Sequence, residues 1–422
     1  MDPITHGIAG ALLGKAFFSK SAPSKPQTQL DEERRRARIM TRVAIFAATL
    51  GAVFPDVDVI ADMISHDPLA IVRYHRGITH SFFGLPFFAV GLAAVTRWIT
   101  RRITRRLKIP SPSFAVLALI YGTGILSHIL LDGTTSFGTR MLTPFSQRRV
   151  AWDWIFIIDF VFTSLLLLPQ LTAWVYHERA KSLRRAAIMW ALFTIAAAVA
   201  WDVARSANAS FHIWIVAAAS TIAALLFFAP ARGDWGFTIS RARWCQAGVI
   251  VTLAYVGACG FAHHHAMNRV QEFAETNHVK VDRIGALPVP PSLLDWGDAI
   301  RTTGGVYSSR YDFRQTHPAA FRFTPDSPTD VFMARALALP EVHVYWNFAR
   351  FPVIRTIARR DEHIVVFGEN RFVARRKDEP QPFTYSVVFD GAGNVVEEGW
   401  MRNGMLASDV GKTKRQSGGT RR

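Results

Sequence analysis

The chain has 422 residues, of which 50% are hydrophobic and 19% are charged, and its formal net charge is +17. This length allows two or three domains, and the apolar content is typical of a membrane protein. Most basic residues before residue 245 lie in short segments between apolar runs. That distribution indicates membrane topology and argues against nucleic acid as a partner. Cys245 and Cys259 would lie about 21 Å apart on one helix, too far to form a disulfide.

The first part of the chain is predicted to be helical. A short helix should begin at Pro3, because Asp2 can cap it and proline suits the first helical position. After a polar linker, further apolar runs cover residues 43–54, 81–99, 114–131, 155–176, 186–204, 211–229 and 245–262. Residues 1–266 are therefore predicted to form an all-α polytopic membrane domain of about eight helices, the first of them short.

The last third of the chain lacks any apolar run of this length. Short alternating or β-branched runs at 342–348, 364–367 and 385–389 predict strands, and the sequence at 390–394 predicts a turn. We expect residues 267–407 to form a soluble β-rich or α+β domain, with a stiff proline-rich linker at 287–291. Residues 408–422 are expected to form a disordered basic tail.

Basic residues between the helices predict the orientation. If each run crosses once, the segments 19–42, 97–108, 177–185 and 231–244 share one side and carry 7, 6, 4 and 3 Lys and Arg. The opposite segments, 62–81, 132–154 and 202–210, carry 2, 3 and 1. The richer side should be cytoplasmic by the positive-inside rule. The C-terminal domain is then predicted to be periplasmic.

Seven histidine and aspartate side chains fall on the predicted outer face. His128 and Asp132 are four residues apart, so a helix places both on one side, and ionisable residues in such a helix indicate function. The complete set of candidate metal ligands is His6, Asp56, Asp58, His75, His80, His128 and Asp132. Imidazole and carboxylate without thiolate favours Zn, with Mn or Fe as alternatives. Seven ligands favour two divalent ions.

Neighbouring residues are candidates for supporting roles. Arg76 could hold an anionic group during catalysis, and Asp58 is expected to be catalytic as well as a ligand. The candidates for orienting ligands are Thr79, Ser127, Asp153 and Asp159. Each feature also has a structural interpretation. The Pro-Asp-Val-Asp sequence can simply end a helix, and a single histidine such as His6 can be a packing residue.

The order of these residues resembles a known family. The matching elements are His6, Pro55-Asp56-Val57-Asp58, His75-Arg76-Gly77-Ile78-Thr79-His80-Ser81, Ser127-His128 with Asp132, and Trp152-Asp153-Trp154 with Asp159. They are similar to the YdjM-like membrane-bound metal-dependent hydrolases, also described as LexA-binding, inner-membrane-associated hydrolases. The resemblance covers roughly residues 1–180. It implies a bacterial inner-membrane hydrolase, and LexA binding is left open for this chain.

The expected activity is hydrolysis of an ester or phosphoester in a lipid-linked or amphipathic substrate, by a metal-activated water. The ligand order is also similar to that of zinc-dependent phospholipase C and single-strand nucleases, which favours phosphoesters. Membrane lipids and such a substrate are the expected partners, without nucleic acid. The alternative is a non-catalytic membrane protein with a structural or regulatory metal site and a partner-binding soluble domain. A transporter is the least favoured class. It would require paired discontinuous helices with polar residues at mid-membrane depth, whereas the carboxylates here are predicted near one face only.

Overall fold

The computed structural model describes residues 1–19, 27–65, 67–107, 112–206, 213–232, 234–290, 292–315, 320–359, 362–372, 381–402 and 405–406. The predicted tail at 408–422 lies outside these residues. Contacts divide the chain into two units. The helical unit comprises Met1–Val57, Arg76–Ala151 and Ile157–Ala258. The sheet unit comprises Asp58–His75, Trp152–Phe156 and Cys259–Arg422.

Thirteen α-helices occur in the described residues. The first six are α1 Pro3–Phe17, α2 Gln27–Val53, α3 Asp58–Ile64, α4 Ala70–Arg73, α5 Gly84–Leu107 and α6 Phe114–Gly133. The next five are α7 Phe160–Val175, α8 Ser182–Ser206, α9 Trp214–Arg232, α10 Trp235–Thr238 and α11 Arg241–Thr276. The last two are α12 Val331–Leu337 and α13 Pro340–Phe348.

Several of these helices are long and apolar enough to cross a membrane. Five described segments meet this test on their own: Glu33–Ile60, Phe114–Gly133, Arg179–Asp202, Trp214–Arg232 and Arg241–Thr276. A sixth segment, Gly84–Ile103, meets this test only when it is counted together with Ala70–His80. Helices α1 and α7, with 15 and 16 residues, are shorter than each of these segments. The membrane character of this part is confirmed, whereas eight crossings stay a prediction.

Helix α1 begins as the sequence predicts, since the Asp2 carboxylate accepts a hydrogen bond from the Thr5 amide at 2.9 Å. It packs closely on α2 because small residues face the contact. A Cβ atom on Gly10 would lie 2.5 Å from the Ala48 carbonyl oxygen, and one on Gly124 of α6 would also lie 2.5 Å from it. Helix α2 is therefore held between α1 and α6, as small residues allow in membrane helix packing.

The sheet unit contains two antiparallel sheets. The first has the order β1 Arg283–Val289, β2 Asp295–Thr302, β3 Gly305–Asp312 and β4 Arg322–Pro325. The second has the order β5 Pro352–Arg359, β6 Glu362–Glu369, β7 Tyr385–Phe389, β8 Val395–Arg402 and β9 Met405–Leu406. A core that includes Tyr345, Phe367 and Tyr385 packs α13 against the second sheet. The predicted α+β character is confirmed.

Two local predictions for this unit are wrong. Residues 342–348 lie in α13 and not in a strand, because Pro340 occupies the first helical position and Val342, Tyr345 and Phe348 recur on one buried face. The predicted linker at 287–291 instead begins inside β1, where Pro288 pairs with Trp296. Proline is tolerated there because β1 is an edge strand. The predicted strands within β6 and β7 are confirmed.

Candidate metal centre

Four of the predicted ligands come together in the helical unit. Asp56 lies in a 3-10 turn, Phe54–Val57, which directly follows α2, and His80 ends a second 3-10 turn, Ile78–His80. His128 and Asp132 lie one turn apart on α6. His80, His128 and Asp132 are fully buried, while the Asp56 side chain is 12% exposed. Three separate parts of the chain thus supply one cluster of ligand atoms.

The spacing of these atoms fits a divalent ion. The Nε2 atoms of His80 and His128 lie 2.9 Å apart, and each lies 3.5 Å from Asp56 Oδ1. Their distances to Asp132 Oδ2 are 3.3 and 3.4 Å. The nitrogen–oxygen distances exceed the usual hydrogen-bond range of about 2.7–3.2 Å. Ligands at about 2.0–2.2 Å from a tetrahedral ion are about 3.3–3.6 Å from one another, which matches the four nitrogen–oxygen distances, whereas the two Nε2 atoms lie closer together than this.

The His128 ring is held in the tautomer that a metal ligand requires. Its Nδ1 lies 2.7 Å from the Ala52 carbonyl oxygen, which can only accept a hydrogen bond. Nδ1 therefore carries the proton, and the Nε2 lone pair is directed into the cluster. On the second ring, His80 Nδ1 lies 3.0 Å from Thr79 Oγ1. Such hydrogen bonds to the remote nitrogen are typical of metal-binding histidines.

Arg76 is bound to one of the ligands. The guanidinium is buried, with Nε 2.9 Å from Asp132 Oδ2 and Nη1 donating to Thr135 Oγ1 at 2.9 Å. It also lies over the Phe137 ring, 4.9 Å from the centroid. The backbone of Arg76 has a φ of 59°, a left-handed conformation that non-glycine residues rarely adopt. These contacts allow Arg76 to position Asp132, and its expected role in holding a substrate anion stays a prediction.

His6 lies beside the four-residue cluster. Its ring stacks on that of His128 with 3.7 Å between centroids, and its Nε2 lies 3.2 Å from Asp132 Oδ1. The N-terminal amino group of Met1 contacts the same oxygen. His6 Nδ1 is buried and has no hydrogen-bond partner among the described residues. His6 can therefore help to fix His128 and Asp132, and its expected role as a metal ligand stays a prediction.

Asp58 and His75 belong to the sheet unit. They pair with each other, with 2.8 Å between Asp58 Oδ1 and His75 Nδ1. Their predicted participation as metal ligands, the catalytic role of Asp58 and the number of ions stay predictions.

The other predicted supporting residues have different contacts. Ser127 donates to the Gly124 carbonyl of its own helix at 2.7 Å. Asp153 forms an ion pair with Arg350 in the sheet unit, at 2.8 and 2.9 Å.

Asp159 caps α7. Its carboxylate accepts from the amides of Val161 and Phe162 and from the Tyr255 hydroxyl. This contact also explains why α7 begins at Phe160, whereas the sequence predicted a helix from residue 155. An aspartate directly before an apolar run is itself a helix-start signal.

Two contributors were not predicted. Thr135 follows Asp132 by three residues and accepts from Arg76, while its own hydroxyl donates to the Asp132 carbonyl at 2.8 Å. The Ala52 carbonyl orients His128. Thr135 could have been considered because i and i+3 residues are neighbours at a helix end. The contact made by the Ala52 carbonyl could not be predicted from the pattern of side chains, because every residue has a backbone carbonyl.

Comparison with known proteins supports the resemblance. The family model described as YdjM inner membrane protein matches residues 1–209, which include all seven predicted ligands. The chain is 28% identical over 168 residues to the protein called "Uncharacterized protein YfhP" of Bacillus subtilis (strain 168). That alignment covers 39% of this chain and 44% of the relative. No solved structure matches the chain. Residues 1–209, just under half of the chain, thus match the YdjM inner membrane protein family.

Proposed function

We propose that this membrane protein is a metal-dependent hydrolase whose centre is formed by Asp56, His80, His128 and Asp132. The observation that carries the proposal is the convergence of two imidazole nitrogens and two carboxylate oxygens within 4.8 Å of one another. A fixed tautomer at His128 and a guanidinium behind Asp132 support it.

The ligands have distinct tasks in this proposal. His128 directs a nitrogen lone pair into the cluster, His80 places its Nε2 beside it, and Asp132 supplies an oxygen that Arg76 holds in place. A bound divalent ion would act as a Lewis acid and lower the pKa of a water molecule towards neutrality. Asp56 is the partly exposed member, and its Oδ2 is buried without a hydrogen-bond partner among the described residues. That oxygen is suited to accept a proton from the attacking water.

The substrate we propose is an ester or phosphoester in a lipid-linked or amphipathic molecule. Phe82, Phe83 and Phe87 follow His80 closely in the chain, and their side chains are 41%, 45% and 64% exposed. An exposed apolar surface next to a hydrolytic centre favours a substrate with an apolar part. We also propose a periplasmic position for the centre, on the basis of the basic residues in the opposite segments.

A structural metal site is the second candidate. It is favoured by the complete burial of His80, His128 and Asp132, because structural sites are closed, whereas catalytic sites retain a position for water or substrate. The partial exposure of Asp56 favours the catalytic interpretation.

An activity screen of the full chain in detergent distinguishes the two. The protein would be offered generic phosphodiester, phosphomonoester and carboxyl-ester substrates with Zn²⁺, Mn²⁺ or Fe²⁺. We expect turnover of one class that is lost with EDTA and in Asp56→Asn, and retained in the control Asp202→Asn on α8. If the protein contains bound metal but hydrolyses none of the three classes, the structural role is favoured and the hydrolase proposal fails.

A further inference from the structure

A second site lies in the helical unit, among residues that the metal centre does not use. The α8–α9 cavity has a volume of about 760 Å³ and is bordered by the 3-10 turn Arg179–Lys181, the start of α8, the second half of α9 and α10. Its apolar lining includes Leu183, Ala224, Leu225, Phe228, Ala229 and Phe237. This volume lies within the range of small-molecule sites, about 300–1,000 Å³.

The helices around the cavity are firmly packed. The Tyr176 hydroxyl donates to the Phe227 carbonyl at 2.6 Å, and Tyr176 and Phe227 belong to one buried cluster. Helix α10 approaches closely because Gly236 has no side chain. A Cβ atom there would lie 2.7 Å from Pro230 and 2.8 Å from the Tyr176 ring. The cavity is therefore a preformed feature of the unit.

Apolar side chains on the cavity wall remain accessible. Leu183 is 64% exposed and Leu225 is 62% exposed. Both lie in helices that are apolar enough to cross a membrane. These side chains are therefore available to hydrocarbon chains.

The lining also contains two arginines with different partners. Arg179 pairs with Asp234 at 2.5 Å, and its guanidinium lies over the Phe237 ring, 4.9 Å from the centroid. Arg232, in the last turn of α9, is exposed and forms no ion pair with any residue that the structure describes. The lining thus contains two arginines and one aspartate, which gives it a net charge of +1.

We propose that the α8–α9 cavity binds one anionic glycerophospholipid. Its phosphate would pair with Arg232, and an acyl chain would lie along Leu183, Leu225 and Phe228. A soluble anion would leave these apolar walls without a partner, and a zwitterionic lipid would bring its own cation to Arg232. Basic residues next to a membrane helix attract anionic lipids in this manner. The site is separate from the metal centre and does not depend on the proposed hydrolase activity.

Native mass spectrometry of the full detergent-solubilised chain tests the proposal. The probes are palmitoyl-oleoyl phosphatidylglycerol and the phosphatidylcholine with the same acyl chains, added in equal amounts. We expect one bound phosphatidylglycerol, preferred about fivefold over phosphatidylcholine. Arg232→Gln should abolish the preference, and Leu225→Trp, which fills the cavity, should reduce the binding of both lipids. Arg243→Gln removes a charge from α11 outside the lining and should change neither.

Three results would overturn the proposal. The wild-type chain could bind both lipids equally, or Leu225→Trp could leave phosphatidylglycerol binding unchanged. Arg243→Gln could also lower the preference as much as Arg232→Gln, which would make it a general effect of basic charge.

Discussion

His80 and His128, 48 positions apart in the chain, place their Nε2 atoms 2.9 Å from each other in a fully buried part of the helical unit. The Ala52 carbonyl fixes the proton of His128 on Nδ1, so at least one of the facing nitrogens has a free lone pair when the ring is neutral. Such a nitrogen beside the carboxylates of Asp56 and Asp132 offers a donor set suited to a divalent cation.

Replacing His128 should release the metal. His128→Ala removes one of four ligands, so we expect affinity for Zn²⁺ to fall by more than about tenfold. Competition with a chromophoric chelator measures the affinity. His177→Ala is the matched control, because His177 is exposed and lies outside the cluster. Equal affinity in His128→Ala and wild type would remove His128 from the ligand set.

Replacing Arg76 should destabilise the helical unit and weaken the metal site. Arg76→Gln leaves the buried Asp132 carboxylate without its guanidinium, a loss of about 3–5 kcal/mol for a broken buried pair. Thermal unfolding in detergent and the same Zn²⁺ titration report the two effects. The exposed Arg148 provides the control Arg148→Gln, which should be nearly neutral. An unchanged unfolding temperature in Arg76→Gln would contradict the positioning role.

Two glycines on α6 should respond differently to alanine. A Cβ atom on Gly124 would lie 2.5 Å from the Ala48 carbonyl oxygen, whereas one on Gly122 would lie 3.8 Å from its nearest neighbour, Ala89. Gly124→Ala should therefore lower the free energy of unfolding by about 1–3 kcal/mol. It should also weaken Zn²⁺ binding, because α6 carries His128. Gly122→Ala should lower neither the free energy of unfolding nor the affinity for Zn²⁺. Similar losses in both variants would show that the close contact between α2 and α6 is not the cause.

Asp295 should make the stability of the sheet unit depend on pH. Burial, reinforced by the nearby Asp312 carboxylate, raises the pKa of Asp295 above its usual value. The folded state therefore holds this proton more tightly than the unfolded state. The contribution of Asp295 to stability is present at low pH and is lost as pH rises from the unfolded pKa through the folded pKa.

Asp295→Asn removes this contribution. The stability of this variant relative to wild type should increase as pH rises above about 4, the usual pKa of an aspartate. Urea unfolding followed by hydrogen–deuterium exchange of the β2 amides, which include that of the buried Trp296, is the measurement. Asp282→Asn, the same substitution at an exposed position of the sheet unit, serves as the control. A difference for Asp295→Asn that falls with increasing pH would contradict the assignment.

Local signals carried much of the sequence prediction. The Asp2 cap, the apolar run of α6 and the four-residue spacing of His128 and Asp132 depend on neighbouring residues only, and the structure shows the corresponding helices. The antiparallel strands β6 and β7 were recognisable for the same reason. Such features follow from the chain's own periodicity and capping.

Other features depend on distant parts of the chain. The run at residues 342–348 is short enough to be compatible with both a strand and a helix. It forms α13 because a helix buries one of its faces against the rest of the unit. The contact of Arg76 with Asp132 joins residues 56 positions apart. Asp153 pairs with Arg350, 197 positions away. No local pattern contains these contacts, because tertiary packing creates them.

The most direct test of the metal centre is the metal content of the full chain purified without chelators, combined with X-ray absorption spectroscopy of the bound ion. The account predicts at least one divalent ion per chain, with nitrogen and oxygen ligands at about 2.0–2.2 Å and no sulfur. Less than about 0.1 ion per chain after incubation with Zn²⁺, Mn²⁺ or Fe²⁺, or a sulfur ligand in the spectrum, would contradict it.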